Sequence, residues 1–174
     1  MRSLNSRGCG DDQMNINHDE MLGDTPFVAV DMDILEKNIQ WLARLTKEAG
    51  VKLRPHTKTH KSTFIAKRQL EAGANGVTTA TLGEAEVMAE AGIDDILIAF
   101  PIIGKKKLKR FNQLLQKSDV IVALDDLIVA QGINDVGEAN KKKLSIYIDV
   151  DTGLGRMGRS PEESVASILE IAKL

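Results

Sequence analysis

Aromatic residues make up only 3% of the 174-residue chain, with one Trp, one Tyr and four Phe. That scarcity argues against a surface built to stack nucleobases. A single cysteine, Cys9, can make no intrachain disulfide and has no cysteine partners for a structural zinc site. Nowhere does an apolar run approach the roughly 20 residues that span a bilayer. The formal net charge is only −2. With so even a balance there is no general case for binding nucleic acid or a membrane surface. The first residues, MRSLNSRGCGDDQMNINHDEMLGD, lack the apolar core of a secretory signal, so a cytoplasmic location is expected. Residues 1–23 read as a polar, disordered leader, with Met14 and Met21 as alternative starts. Also missing is any G-x-G-x-x-G fingerprint after the first apolar run, which weakens a nucleotide-binding Rossmann reading.

What the chain does have, from Asp24 onward, is a regular alternation of strand and helix signals. TPFVAVDM is a short apolar run, and DILEKNIQWLARLTKEAG keeps Ile34, Leu35, Ile39, Leu42 and Leu45 on one helical stripe. VKLRPHTK, NGVTTAT, DDILIAF, DVIVALDD and LSIYIDVDTGLG read as strands, each followed by a helical segment. The last helix is expected from Pro161, with Ser160 as its N-cap. Short Val/Ile/Leu strands separated by helices predict a parallel α/β sheet. A (β/α)8 TIM-type barrel is favoured over an open doubly wound sheet. Five strand–helix units are countable from Val51, whereas a closed barrel has eight, so residues 24–174 read as the N-terminal part of a truncated barrel.

One stretch is chemically unusual. LRPHTKTHK, Leu53 to Lys61, packs two His, two Lys and an Arg into nine residues. Read as a strand, it would place Arg54, His56, Lys58 and His60 on one face. Cations on the inner face of a barrel need anionic company. A bound phosphate or phenolate would provide it, and a lysine amine there could attack a carbonyl to form an imine. The blander alternative is an exposed edge strand with solvated cations. A metal held by His56 and His60 is disfavoured, since an i, i+4 pair converges on a helix and Pro55 with two threonines opposes one. GKKKLKR (Gly104–Arg110) reads as a solvated helix face with anion binding a minor alternative. Asp149 and Asp151 fit either paired acid–base carboxylates or capping groups, the latter being commoner. GLGRMG by itself is no more than a tight turn.

Taken together, LRPHTKTHK, TPFVAVDMDILEKNI, GVTTATLGEAEVMAEAGIDDILIAFP and IDVDTGLGRMG resemble the D-threonine aldolase and D-serine dehydratase group. These are pyridoxal-phosphate enzymes with an alanine-racemase-like N-terminal barrel. The resemblance runs from about Thr25 to the end. It implies that Lys58 carries pyridoxal 5'-phosphate covalently, with Lys61 as the alternative lysine. It implies Arg156 near the cofactor's phenolic oxygen, and His56 and Arg54 as supporting positions. The activity implied is a lyase that cleaves a small-molecule D-3-hydroxy amino acid, preferably by aldol cleavage to glycine and an aldehyde. D-Serine dehydration, amino-acid racemisation and non-catalytic cofactor carriage are the alternatives. A divalent metal (Mn, Mg or Zn) is expected in the full-length family-type protein, with ligands in a C-terminal β-domain outside this chain. A homodimer is a possible assembly.

Overall fold

The computed structural model describes residues 26–174; the predicted leader lies outside them. Four parallel strands form one sheet in the order β1 (Val77–Thr79), β2 (Asp95–Ile98), β3 (Asp119–Leu124), β4 (Ser145–Ile148). Helices α1 (Met32–Glu48) and α2 (Thr63–Glu71) precede β1, α3 (Leu82–Glu90), α4 (Lys105–Leu114) and α5 (Leu127–Ala139) link the strands, and α6 (Pro161–Ile171) follows β4. Sequential order with every pair parallel is the arrangement of a (β/α) barrel wall, here a partial barrel. Before β1, residues 53–56 lie alongside it: Asn75 N–H donates to the Leu53 carbonyl at 2.8 Å, and Thr78 N–H to that of Pro55 at 2.7 Å. Counting that segment, five units are present, as the sequence suggested.

The register explains the core. Val77, Ile96 and Val120 align across the sheet, as do Thr79, Ile98, Val122 and Ile146, and then Leu124 with Ile148. Alternation gives these positions a common face, and the helices cover it. Phe111 from α4 and Met88 from α3 are essentially inaccessible and sit in the same cluster as Ile96, Ile98, Val122 and Leu124. Thr78, Leu97, Ile121, Ala123 and Tyr147 take the opposite face. Tyr147 on β4 is 51% exposed there.

Helix ends follow local chemistry. Asp31, Ser62, Thr81 and Asp126 cap α1, α2, α3 and α5 through their side chains. The predicted start of α6 is realised in full: Ser160 and Glu163 form a reciprocal capping box, and Pro161 occupies the first turn.

Two expectations need correction. Residues 26–31, read as a strand, make none; Val28 is 93% exposed. An apolar run becomes a strand only where another strand accepts its hydrogen bonds, and none of the described residues does so here. The stripe on α1 is also only partly used: Ile39 is buried, while Ile34 and Leu45 stay about half exposed. Among the described residues no helix is long and apolar enough to cross a membrane.

Candidate active site at the strand ends

The cation segment does not run as one strand. Extended pairing ends at His56, which bridges to Thr78, and Thr57–Thr59 closes a 3-10 turn. Thr57 drives the change. Its buried hydroxyl donates to the Thr78 carbonyl at 3.1 Å. Its own carbonyl accepts from both His60 N–H (3.2 Å) and Lys61 N–H (2.7 Å). The four cations therefore do not share a face.

Arg54 goes to the N-terminal end of the sheet. Its guanidinium makes a bidentate pair with Asp95, the first residue of β2, at 2.8 Å on each arm. The anionic company expected inside a barrel is thus an aspartate of the chain itself. Gly76 makes room for the pair: a Cβ there would stand 2.3 Å from Arg54 Nη1 and 2.6 Å from the Asp95 carbonyl oxygen. His60 turns inward, its Nδ1 accepting from Ser62 N–H at 3.0 Å. Its Nε2 is buried without a hydrogen bond, as is Gln69 Oε1.

Lys58 remains at the C-terminal mouth, exposed at the crest of the turn. Its backbone N–H donates to His56 Nδ1 at 3.3 Å. Among the described residues no carboxylate lies within ion-pair distance of its ammonium, whereas Lys61 is engaged by Glu84. Burial, and then the Lys58 charge, pushes His56 below the ordinary imidazole range. His56 therefore favours the neutral form that can accept the Lys58 N–H.

Arg156 is presented on the loop after β4, also exposed. The base of that loop is fastened to the end of β3. Gly158 N–H donates to Asp125 Oδ2 at 2.9 Å, Arg159 Nε to the Asp125 carbonyl at 2.9 Å, and Arg159 Nη2 to Asp126 Oδ2 at 2.7 Å. Asp151 receives the Gly153 and Gly155 amides, which hold its carboxyl below the usual range. That is the capping reading. Asp149 differs: burial, then the neighbouring Asp125, pushes its carboxyl up, with Arg156 opposing. Lys58 and Arg156 thus share the mouth of the sheet on separate loops, with β1, β2 and β3 between them. The run from Lys105 to Lys107 is an exposed face of α4. Arg110 pairs with Glu86.

Glu84 belongs to the same end of the sheet and was not singled out by the sequence reading. The signal was there: Thr81-x-x-Glu84 before an apolar helix has the pattern of a capping box.

The histidines set a pH dependence. His56 and His60 are both lowered from the ordinary value, by burial first. The unfolded chain therefore binds more protons than the folded one between the folded pKa values and about 6.5. Stability rises with pH through that window and is lost as pH falls below about 6.5. Urea unfolding at pH 7.5 and 5.5 is expected to show a lower midpoint at the acidic pH, and His60→Asn a shallower dependence.

A parallel α/β partial barrel with a lysine and an arginine on loops at its mouth defines the class. The alanine racemase N-terminal domain model matches residues 30–174, and the chain belongs to that family. It is 34% identical over 159 residues to the 3-hydroxy-D-aspartate aldolase of Paracoccus denitrificans, covering 88% of this chain and 40% of that protein. It is likewise 34% identical over 142 residues to the D-threo-3-hydroxyaspartate dehydratase of Delftia sp., covering 81% and 37%. The crystal structure of D-threonine aldolase from Filomicrobium marinum superposes with a TM-score of 0.81 at 33% identity, covering 86% of this chain and 41% of that one. The chain thus spans about 40% of the length of these relatives.

Proposed function

We propose that the chain supplies the cofactor lysine and one side of the mouth of a pyridoxal-phosphate-dependent lyase acting on a D-3-hydroxy amino acid. The observation that carries this reading is Lys58: an ammonium at the strand-end mouth, free of carboxylate partners among the described residues, and on a loop fixed by His56 and Thr57. A cofactor of this kind needs an amine for its aldehyde and a donor for its phenolic oxygen. Lys58 and Arg156 fit those two needs. When bound, pyridoxal phosphate supplies an electron sink for a bond broken at the α-carbon.

The chain's own residues do the positioning. His56 orients the Lys58 backbone, and Arg156 offers its guanidinium donors from a loop fastened to β3. Arg54 supports from below by filling the barrel floor with Asp95. A divalent metal does not fit the described residues: no three His, Cys, Asp or Glu side chains gather there. Its role in holding the β-hydroxyl would belong to ligands outside them.

Aldol cleavage is the preferred reaction. Two relatives, the 3-hydroxy-D-aspartate aldolase and the D-threonine aldolase of Arthrobacter sp., carry that name at 34% and 32% identity. Dehydration is the second reading, because the dehydratase of Delftia sp. is equally similar at 34%. Incubation of the whole protein that contains this chain with pyridoxal phosphate, a divalent metal and either D-threonine or D-3-hydroxyaspartate is expected to release glycine and an aldehyde. Ammonia and a keto acid would establish dehydration instead. Racemised substrate alone, or cofactor bound with substrate untouched, would overturn the lyase reading.

A further inference from the structure

Lys61, two residues beyond the helical turn that carries Lys58, has a backbone φ of 49°. Left-handed backbone is costly for a residue with a Cβ. The other such residue among those described, Lys141, follows the end of α5, where a left-handed residue commonly terminates a helix. Lys61 holds the same place after the 3-10 turn, one residue past its cap His60. Its amide closes the turn on the Thr57 carbonyl at 2.7 Å, and its ammonium is also taken by Glu84 Oε1.

Glu84 is placed for this task. It lies in the first turn of α3, and its backbone N–H donates to Thr81 Oγ1 at 3.2 Å, one half of a capping box. The reciprocal half would return its carboxylate to the Thr81 amide. The carboxylate instead reaches one residue further back, where Oε2 accepts the Ala80 N–H at 2.8 Å. Its two oxygens thus join the loop after β1 to the loop that carries Lys58. The side chain is only 14% exposed, whereas that of Lys61 is 64% exposed.

We propose that Glu84 is a positioning residue that holds the Lys58 loop on the end of β1, acting through Lys61. The proposal rests on reading Lys58 as the cofactor lysine. Electrostatics agree with it. Burial pushes the Glu84 carboxyl up, but the Lys61 ammonium, the Ala80 amide and the nearby His56 outweigh burial and hold it below the usual range. The charged groups facing His56 are Lys58, which disfavours its imidazolium, and Glu84, which favours it; the Thr78 backbone also favours it. Glu84→Gln removes the charge and leaves one acceptor oxygen for two donors, Lys61 and the Ala80 amide, and it strips His56 of its one stabilising carboxylate among the described residues.

Two readouts test this, one of them free of cofactor. Titration of the His56 ring by NMR in cofactor-free protein is expected to show a lower midpoint in Glu84→Gln than in wild type. Apparent affinity for pyridoxal phosphate is expected to fall about tenfold in Glu84→Gln and further in Glu84→Ala, with thermal midpoints near that of wild type. Lys61→Met should reproduce the loss, and the double variant Glu84→Gln/Lys61→Met should bind no worse than the weaker single one. An unmoved His56 midpoint with affinity within twofold of wild type would overturn the proposal, as would fully additive losses. If wild-type protein attaches no cofactor at Lys58, the lysine reading itself falls. Hydrogen exchange at the Lys61 amide, which closes the turn on Thr57, then decides alone: faster exchange in Glu84→Gln upholds the Glu84 clamp, and unchanged exchange overturns it.

Discussion

Replacing Lys58 with alanine is expected to abolish covalent attachment of pyridoxal phosphate and to lower turnover by about 10³-fold or more. Attachment depends on a nucleophilic amine and not on charge. Attack on an aldehyde needs a nitrogen that can shed its proton, and a lysine amine can. Lys58→Arg is the informative partner substitution. It keeps a cation at the mouth of the barrel, but a guanidinium stays protonated and cannot make the bond. Both variants should therefore fail alike, whereas a merely electrostatic role would leave Lys58→Arg close to wild type. Lys58 is exposed and makes no ion pair among the described residues, so neither change should disturb the fold. Denaturation midpoints close to wild type, alongside lost attachment, would complete the result.

The second large effect is expected at Gly158. Its φ of +90° is left-handed, and an added Cβ would stand 2.6 Å from the Asp151 nitrogen, 2.8 Å from the Val150 carbonyl carbon and 3.0 Å from that of Asp149. All three neighbours are backbone, so none can rotate away. Gly158→Ala is expected to cost roughly 2–4 kcal/mol, or to open the loop locally. Either way the Gly158 bond to Asp125 and the Val150–Arg159 bridge are disturbed, and Arg156 loses its support. Gly155→Ala is the natural comparison. Its φ is +65° and nothing lies within 4 Å of the added carbon, so the cost is only the left-handed conformation, about 1–2 kcal/mol. Urea midpoints and cofactor affinity of the two variants should separate accordingly, with Gly158→Ala losing more of both.

Much of this architecture was legible in the chain itself. Val/Ile runs at β2 and β3, each followed by an amphipathic or capped segment, predict parallel strands and helices that the structure contains. The Ser160–Pro161 start of α6 is written in adjacent residues, so local chemistry suffices to find it. The cation segment was legible in composition but not in shape. Alternating threonines look like a strand, and only the long-range bond from Thr57 to Thr78 shows why the chain turns there. Arg54 illustrates the same limit: its partner Asp95 is 41 residues away, beyond any local pattern. Glu84 carried a capping signature, yet its link to Lys61 depends on how two strand-end loops meet. Residues 26–31 show the reverse error, since apolar composition promises a strand but cannot supply a neighbour.

Lys58 is the proposed residue that takes the cofactor. The most direct test is borohydride reduction of the protein incubated with pyridoxal phosphate, followed by peptide mapping of the reduced label. A single stable label on Lys58 is the predicted result. A label on Lys61, or lysines labelled indiscriminately across the surface, would contradict it.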